Sequence, residues 1–554
     1  LKAAGGTPIS VFNPATMAYD KFTVGGLYDG YINAKKTMLY SDTDWMDEIS
    51  RTGMTQNYDI SLSNGTDRST TLFSFGYKKA DGILKYTDFE NFSARVNTSY
   101  KISEAVSIGE NLSLSYSSNV DCYPMENALK IASTVPAYEA DGVTFGGPVG
   151  GMSDRQNPLR ELYHNRDNRL KKWRMFGNAY IDIKPIKGLL IRSNFGLDFT
   201  TSRIRSVTYT WDSDVVKNAT NSSTMSNNQN TQWTWSNTAQ YNFDFCKEHN
   251  LNVLLGMELN NMDMEDNSGR VNNYVLENYN YMWPNAGTGI HRVYGGGESY
   301  RLVSFFGKLD YNWNDLVLAS FTLRHDGSSR FGENNRYGTF PAATLGYRLS
   351  KNIDADWLRD LKVRASWGVT GNQAMNSNTA RYGIYLADYG NDRNTSTAYD
   401  LNLIGSGTYP SGYRQSQSEN KNLRWESTTQ YNFGMDFQLF DGSVYGTYDL
   451  YQKKTKDMLI QPSYLGALGE GGATWVNGPS LENWGMEFTL GYRHTTAYGL
   501  QYNVNGNIDF FRSKVRAQNP DIKVCLAIAN ESLSYFESVF CIFTAHIYYP
   551  PFFK

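Results

Sequence analysis

Several features that mark common protein classes are scarce in this sequence. Only four cysteines occur among 554 residues, Cys122, Cys246, Cys525 and Cys541, so neither a disulfide framework nor a cysteine zinc site is predicted. No run of about 18 uncharged apolar residues is present, which excludes an ordinary transmembrane helix. The 52 basic side chains are outnumbered by 55 acidic ones, and a net charge of −3 argues against a nucleic-acid-binding protein.

The chain is rich in aromatic residues, and apolar and polar residues alternate along many of its segments. Aromatics make up 14% of the residues, which argues against disorder. In Trp233–Phe245 the odd-numbered positions are apolar except for Asn237, and the even-numbered positions are polar. The segment Val106–Tyr116 shows the same period of two. Successive side chains of a strand point to opposite faces, so each segment predicts a strand with one apolar and one polar face.

We count about 16 such segments, most of them roughly 9–14 residues long, whereas an ordinary strand has about 5–6. A tilted strand needs about 9–11 residues to cross a hydrocarbon core. Short links alternate with long ones, which include Thr201–Asn230 and Asn261–Ser299. This alternation is typical of up-and-down outer-membrane barrels, with tight turns at one rim and large loops at the other. The pattern therefore predicts an all-β fold, a transmembrane antiparallel up-and-down β-barrel, and disfavours a soluble propeller or sandwich.

Short motifs then indicate a family. In chain order they are Thr43–Ile49, Thr55–Tyr58, Leu62–Asp67, Phe73–Tyr77, Asp81–Leu84, Arg324–Gly332, Tyr337–Pro341, Arg364–Gln373 and Leu423–Glu426. Together they resemble the SusC-like (SusC/RagA) branch of the TonB-dependent outer-membrane transporters of Bacteroidetes, over roughly residues 40–516. The resemblance implies a barrel of 22 strands with an N-terminal plug, a SusD-like surface lipoprotein as partner, and energy from the TonB–ExbB–ExbD complex acting on an N-terminal segment.

The chain departs from that pattern at both ends. We expect residues 1–50 to be the plug-to-barrel connecting region and first loop, and 51–516 to be a partial barrel with about 16 of the 22 strands. No plug, TonB-contact segment or signal peptide is recognisable, so we expect a fragment or a processed product. Residues 517–554 lose the alternation, and Pro520–Lys554 holds no glycine although the chain has 49. We interpret 517–554 as a non-barrel tail, and a shifted reading frame is one explanation for it.

No catalytic or metal-binding residues are predicted. The six histidines do not stand at metal-ligand spacing, and His325 is interpreted as a loop anchor. Asp263, Glu265 and Asp266 do not match a calcium loop. No carboxylate pair stands out for glycan hydrolysis, and no cofactor is expected.

Aromatic residues in long links are the better binding candidates, because sugars stack their CH faces on rings while nearby polar groups bind the hydroxyls. These candidates are Tyr281, Trp283, Tyr294 and Trp475. For each of them, packing between loops or against the lid protein is the alternative interpretation.

Together these observations predict an outer-membrane, TonB-dependent importer of oligosaccharides or peptides, located in the Gram-negative outer membrane, without enzymatic activity. The predicted partners are the SusD-like lipoprotein, the TonB–ExbB–ExbD complex, outer-membrane lipid and the substrate, and no nucleic acid. Two alternatives stay open at this point: a secreted all-β glycan-acting enzyme, and a structural or adhesive barrel that does not transport. The identity of the substrate does not follow from the sequence.

Overall fold

The computed structural model describes residues 42–139, 142–148, 154–213, 216–245, 248–375, 380–388, 412–462, 474–517 and 536–548. These residues form one antiparallel sheet of 17 strands, in which each strand pairs with the strands before and after it along the chain. Within the described part, no ladder joins the first strand to the last. The strands are β1 (Thr55–Gly65), β2 (Ser69–Asp81), β3 (Asp88–Lys101), β4 (Val106–Val120), β5 (Arg169–Ile183), β6 (Leu189–Thr208), β7 (Ser222–Phe245), β8 (His249–Asn272), β9 (Arg292–Trp313), β10 (Val317–Ser328), β11 (Tyr337–Arg348), β12 (Leu358–Asn372), β13 (Glu426–Leu439), β14 (Val444–Lys456), β15 (Ser480–Thr495), β16 (Gln501–Ala517) and β17 (Phe536–Tyr548).

The predicted alternation is confirmed, and the apolar side chains of the described sheet do not pack against each other in a buried core. Large side chains on this face remain open to the surroundings: Leu255 is 61% exposed, Phe305 51% and Phe433 50%. A dry sandwich core would bury such residues almost completely. The apolar face therefore needs an apolar environment that lies outside the described chain.

The opposite face carries charged side chains that pair with each other within and between strands. Arg174 on β5 forms two hydrogen bonds with Asp198 on β6, at 2.9 and 2.7 Å. On β10, Arg324 contacts Asp326 at 2.8 Å and Glu258 of β8 at 3.2 Å. Paired but incompletely buried charges are suited to a hydrated surface, because water lowers the cost of charges that the pairing does not neutralise.

Most links alternate in length as predicted, except that the link 349–357 at one end of the sheet is longer than the links 82–87 and 329–336 at the opposite end. One end of the sheet, called here the short-turn end, carries the links 66–68, 102–105, 184–188, 246–248, 314–316, 349–357, 440–443 and 496–500. The other end, called here the long-link end, carries the described parts of the links 82–87, 121–168, 209–221, 273–291, 329–336, 373–425 and 457–479. Asn314 and Asp315 have φ angles of 48° and 51°, which suit the tight hairpin turns that match the twist of paired strands.

The central strands are longer than predicted. The sequence analysis treated residues 201–230 and 261–299 as links, yet β6 continues to Thr208, and β7, β8 and β9 continue to Ser222, Asn272 and Arg292 at the long-link end. The reason lies in the outward face of β8, which changes from Leu259 to the polar Asn261, Asp263 and Glu265. The hydrogen-bond ladder continues past this point, but the hydrophobic period that the prediction relied on stops there.

The structure also differs from the expectation for the end of the chain. Residues 536–548, placed outside the barrel by the sequence analysis, form β17 and pair with β16 from Gln501↔Tyr548 to Ser513↔Phe536. Backbone pairing requires no alternation of side chains, and this segment is rich in β-branched and aromatic residues. The origin of residues 517–554 stays a prediction. Of the predicted connecting region 1–50, residues 1–41 lie outside the described residues.

Three short helices lie at the long-link end: α1 (Trp45–Ile49), α2 (Met125–Lys130) and α3 (Pro158–Asn165). They pack together through buried side chains that include Ile49, Leu159 and Leu162. None of the described helices is long and apolar enough to span a membrane. The link 273–291 covers a second buried cluster around Val207 and Met282.

Short elements also occur within the links. They are the hairpins Trp211–Asp212 with Lys217–Asn218, Ile384–Asp388 with Gly412–Gln417 and Leu459–Ile460 with Val476–Asn477, and the 3₁₀ turns Pro284–Ala286, Glu333–Asn335 and Leu349–Lys351.

Candidate functional site

A polar cavity of about 440 Å³ opens among three links at the long-link end. Its walls come from the end of α3, the residues that follow β6, and the link between β8 and β9. The lining residues are Tyr163, His164, Arg166, Asp167, Tyr209, Thr210, Glu277, Asn278, Tyr279 and Asn280. They combine aromatic rings with amide, carboxylate and guanidinium groups, which are the groups that bind sugars and peptides.

The first wall is held in place by the N-cap of α3. Asn157 is fully buried, and its Oδ1 accepts hydrogen bonds from the backbone N–H groups of Leu159 and Arg160, at 2.9 and 3.1 Å. Its Nδ2 donates to the carbonyl oxygens of Ala137 and Gly146, both at 2.9 Å. The residue thus caps the helix and also ties it to the preceding link. This fixes the direction in which His164 and Arg166 leave the helix.

The second wall depends on Glu277. Its carboxylate accepts hydrogen bonds from the backbone N–H of Thr210 at 2.8 Å, from the Thr210 hydroxyl at 2.5 Å, and from Nδ2 of Asn221 at 2.8 Å. Partial burial by itself would raise the pKa of Glu277, but these hydrogen bonds favour the charged form, and the net effect is a lowered pKa. The ionised carboxylate therefore fastens link 273–291 to the ends of β6 and β7.

His164 provides a neutral ring inside the cavity. Burial, together with the nearby positive charges of Arg160 and Arg166, lowers the pKa of His164 to about 4. Its ring packs edge-on against Tyr209, with 5.1 Å between the ring centroids. At neutral pH the imidazole thus carries one donor and one acceptor nitrogen and no charge.

Arg166 supplies the positive charge of the cavity. Its guanidinium lies 3.7 Å from the centre of the Tyr163 ring and donates from Nη1 to the Tyr163 carbonyl oxygen at 2.5 Å. Its Nε also lies 3.6 Å from a carboxylate oxygen of Asp167, so ring stacking and this ion pair fix the guanidinium plane and leave Nη2 for a planar acceptor. The cavity can therefore orient a carboxylate, an amide or a sugar hydroxyl.

Two of the four predicted aromatic residues lie in the link that forms the second wall. Tyr281 is 62% exposed and Trp283 is 40% exposed. The guanidinium of the buried Arg205 lies between the rings of Tyr279 and Trp283, 3.9 Å from each centroid. Neither residue lines the cavity itself: Trp283 supports the wall from behind through Arg205, and the Tyr281 ring is exposed beside it.

The other two predicted residues do not line this cavity either. Tyr294 lies within β9, paired with Ser268, and not in a link, because the strand continues beyond the apolar band. Trp475 is 9% exposed and packs in a separate cluster with Phe331 and Leu423. For Trp475 the geometry agrees with the alternative interpretation of loop packing. Whether any of the four residues binds substrate stays a prediction.

The sequence analysis missed the residues that line the cavity. They come from three stretches, 163–167, 209–210 and 277–280, and no local motif joins them. The run Asn278–Tyr281 alternates amides with aromatic rings and was the one local signal available. Within the described residues, no group of three or more His, Cys, Asp and Glu side chains is arranged to hold a metal ion.

The fold defines the class of protein. A long antiparallel meander with an exposed apolar face, a charged opposite face, and links of alternating length is a transmembrane β-barrel wall of the outer-membrane type. Residues 132–527 match the family described as TonB dependent receptor-like, beta-barrel, and the chain belongs to this family. The predicted family and its outer-membrane location are thereby confirmed. The family consists of receptors and not of glycan hydrolases, so the alternative of a secreted enzyme is wrong.

Named relatives agree with this assignment. The TonB-dependent receptor SusC of Bacteroides thetaiotaomicron is 27% identical over 512 residues, which cover 84% of this chain and 48% of SusC. The TonB-dependent receptor P26 of Formosa agariphila is 25% identical over 466 residues, covering 81% of this chain and 44% of the relative. The chain spans about half the length of the curated relatives it matches.

Solved structures show the same fold. The RagAB peptide transporter aligns with a TM-score of 0.77 at 22% identity, covering 92% of this chain and 58% of that chain. The ferric citrate transporter FecA aligns with a TM-score of 0.51 at 8% identity, covering 85% of this chain and 58% of that chain. At these identities the likeness concerns the arrangement of the strands alone.

Proposed function

We propose that this chain forms part of the barrel wall of a SusC-like importer that carries oligosaccharides or peptides across the outer membrane by TonB-dependent transport. The observation that carries the proposal is the division of the sheet into an exposed apolar face and a face lined by ion pairs such as Arg174–Asp198. A bulky hydrophilic solute needs a wet path whose charges are already paired, because unpaired charges would trap it. In this proposal the plug and the TonB-contact segment belong to the longer protein of which this chain is a part.

The polar cavity gives the proposal a contact point for the substrate. It lies at the long-link end, which in outer-membrane barrels faces the cell exterior. Its rings, amides and Arg166 would hold the end of an oligosaccharide or peptide before it enters the barrel. A SusD-like lipoprotein would cover the same end and close over the bound substrate. Both substrate classes are compatible with these groups.

The experiment is a growth assay in the bacterium that encodes the chain. The intact gene is deleted and then restored with either the parent sequence or the variant Tyr279→Ala, and the cells grow on oligosaccharides or on peptides as the sole carbon source. The control is Glu265→Gln, which changes an exposed carboxylate on β8 away from the cavity. We expect the deletion to stop growth on one substrate class, and Tyr279→Ala to slow that growth while the control does not.

Energy coupling separates import from the remaining alternative of a structural or adhesive barrel. Depletion of the TonB complex is expected to abolish uptake of the labelled substrate in cells that carry the parent gene. Uptake that persists without TonB, or a deletion that alters cell adhesion and leaves growth on both substrate classes unchanged, would refute the proposed function.

A further inference from the structure

One carboxylate interrupts the apolar face of the sheet. Glu110 lies on β4 between Ile108 and Leu112, and its register partners are Thr98 on β3 and Ala179 on β5. Ile108, which shares its face, is 41% exposed. Because side chains two residues apart on a strand share a face, Glu110 points outward with Ile108. Its side chain therefore faces the lipid.

This placement is unusual in the described sheet. Other outward-facing charged residues, such as Lys79, Glu90 and Arg512, lie at the edge of the apolar band towards the long-link end, whereas Glu110 lies between Ile108 and Leu112 near the short-turn end. On the opposite face many charged groups have a charged partner, as Arg174 and Asp198 show. Within the described residues, the side chain of Glu110 forms neither an ion pair nor a hydrogen bond. An ionisable group in hydrocarbon is costly without a partner, so we expect Glu110 to have a partner from outside the chain.

A groove of about 470 Å³ lies directly beside this carboxylate on the lipid-facing wall. The small residues Thr98, Ala179 and Ser193 leave space between the larger side chains of Tyr100 and Phe195. The groove is mostly apolar, and Glu110 is its only charged lining residue. An extended hydrocarbon chain fits this shape and polarity, and the carboxylate adds one position for a cation at its edge.

The depth of Glu110 favours a lipid headgroup over a protein partner. Glu110 is two residues, or roughly 7 Å along the strand, from the row that contains Ile108 and Tyr100. That row borders the turn 102–105 at the short-turn end, where an exposed tyrosine such as Tyr100 marks the membrane interface. The carboxylate thus lies just below headgroup level in the leaflet on the short-turn side, within reach of a headgroup that bends inward.

We propose that the groove beside Glu110 binds a membrane lipid whose headgroup carries a protonated amine, with one acyl chain along Thr98, Ala179 and Ser193 and the ammonium paired with the Glu110 carboxylate. A charge-assisted N–H···O bond is strong where water is excluded. A lipid whose headgroup carries only negative charge would be repelled by the carboxylate. The site is therefore selective for the headgroup and not only for the acyl chain.

The test is native mass spectrometry of the full chain folded into detergent micelles. Two probes with identical acyl chains are added separately, phosphatidylethanolamine and phosphatidylglycerol. We expect phosphatidylethanolamine to be retained at least about fivefold better than phosphatidylglycerol. The variant Glu110→Gln is expected to lose this preference, whereas Glu104→Gln, which removes a carboxylate from the exposed turn 102–105, is expected to keep it.

A second variant keeps the proposal testable if Glu110→Gln does not fold. Ala179→Phe leaves the carboxylate in place but fills the groove, and it is expected to release phosphatidylethanolamine as well. The proposal is overturned if either folded variant retains phosphatidylethanolamine like the parent chain, or if phosphatidylglycerol binds equally well. It is also overturned if the spectra show a second copy of the chain whose association depends on Glu110 while lipid retention does not.

Discussion

Replacing Glu277 by alanine is expected to release link 273–291 from the ends of β6 and β7. The carboxylate accepts three hydrogen bonds, two from Thr210 and one from Asn221. Hydrogen bonds to a charged group contribute roughly 1.5–3 kcal/mol each when they are buried. Because Glu277 is only half-buried, we take about 1 kcal/mol for each, which gives a total of about 3 kcal/mol for closing the link.

Hydrogen exchange measured by mass spectrometry reports this quantity directly. A loss of about 3 kcal/mol corresponds to exchange on the order of 100-fold faster in residues 273–291, provided that these amides exchange through local opening. The isosteric variant Glu277→Gln keeps one acceptor oxygen but loses the charge, so an increase of on the order of 10-fold is expected. Amides in the central part of β8 should not change, because their ladder does not depend on this link.

The same anchor gives a defined pH dependence. The pKa of Glu277 is lower in the folded protein than the unfolded value of about 4.3, so its stabilisation is fully present above that value and is lost as the pH falls through the folded pKa. The parent chain should therefore lose protection in link 273–291 on acidification below about pH 4, and Glu277→Ala should show a smaller loss. Unchanged exchange in Glu277→Ala at pH 7, or an equal effect of the control Glu265→Gln, would refute the anchoring role.

Three further predictions follow from other parts of the structure. Leu255→Arg places a charge on the lipid-facing side of β8 and is expected to cost roughly 2–4 kcal/mol in urea unfolding from lipid vesicles, whereas Leu254→Arg on the opposite face should cost much less; equal costs would contradict the assignment of the two faces. Trp475→Ala leaves a cavity beside Phe331 and is expected to destabilise the long-link end by roughly 3–5 kcal/mol. Tyr281→Ala, in contrast, should leave stability nearly unchanged and weaken ligand binding in a fluorescence titration. A stable Trp475→Ala variant would show that this cluster is not a packed core. His164 has a pKa of about 4 when folded against about 6.5 when unfolded, so it should weaken α3 as the pH falls from about 7.5 towards 4; exchange in α3 at pH 7.5 and 5 should show a smaller change in His164→Asn, and identical changes in both proteins would refute this.

How far the fold could be predicted is seen in β7. Its alternation from Trp233 to Phe245 could be recognised in the sequence, because residues two positions apart on a strand lie on the same face and here share the same polarity. The first half of the same strand, from Ser222, was predicted as a link, because both of its faces are polar above the membrane. Only the ladder with β8 extends the strand to that point.

For the candidate site, even less could be predicted from the sequence. Tyr281 and Trp283 could be chosen from the sequence because they are aromatic residues in a long link, but Trp475 met the same criterion and is buried. Exposure depends on what other links cover, and no local pattern contains that information. The cavity around His164 and Glu277 exists because three links that are distant in the chain end at the same rim of the sheet.

The sequence by itself determined that the chain forms a meander of long strands with one apolar and one polar face, because polarity with a period of two is a local property of each segment. The tertiary structure alone decided how far the strands continue into water, which loop residues surround a cavity, and that Glu110 borders a groove made by Thr98, Ala179 and Ser193. These features depend on which residues of separate strands become neighbours, and strand register sets this over distances that no short sequence pattern spans.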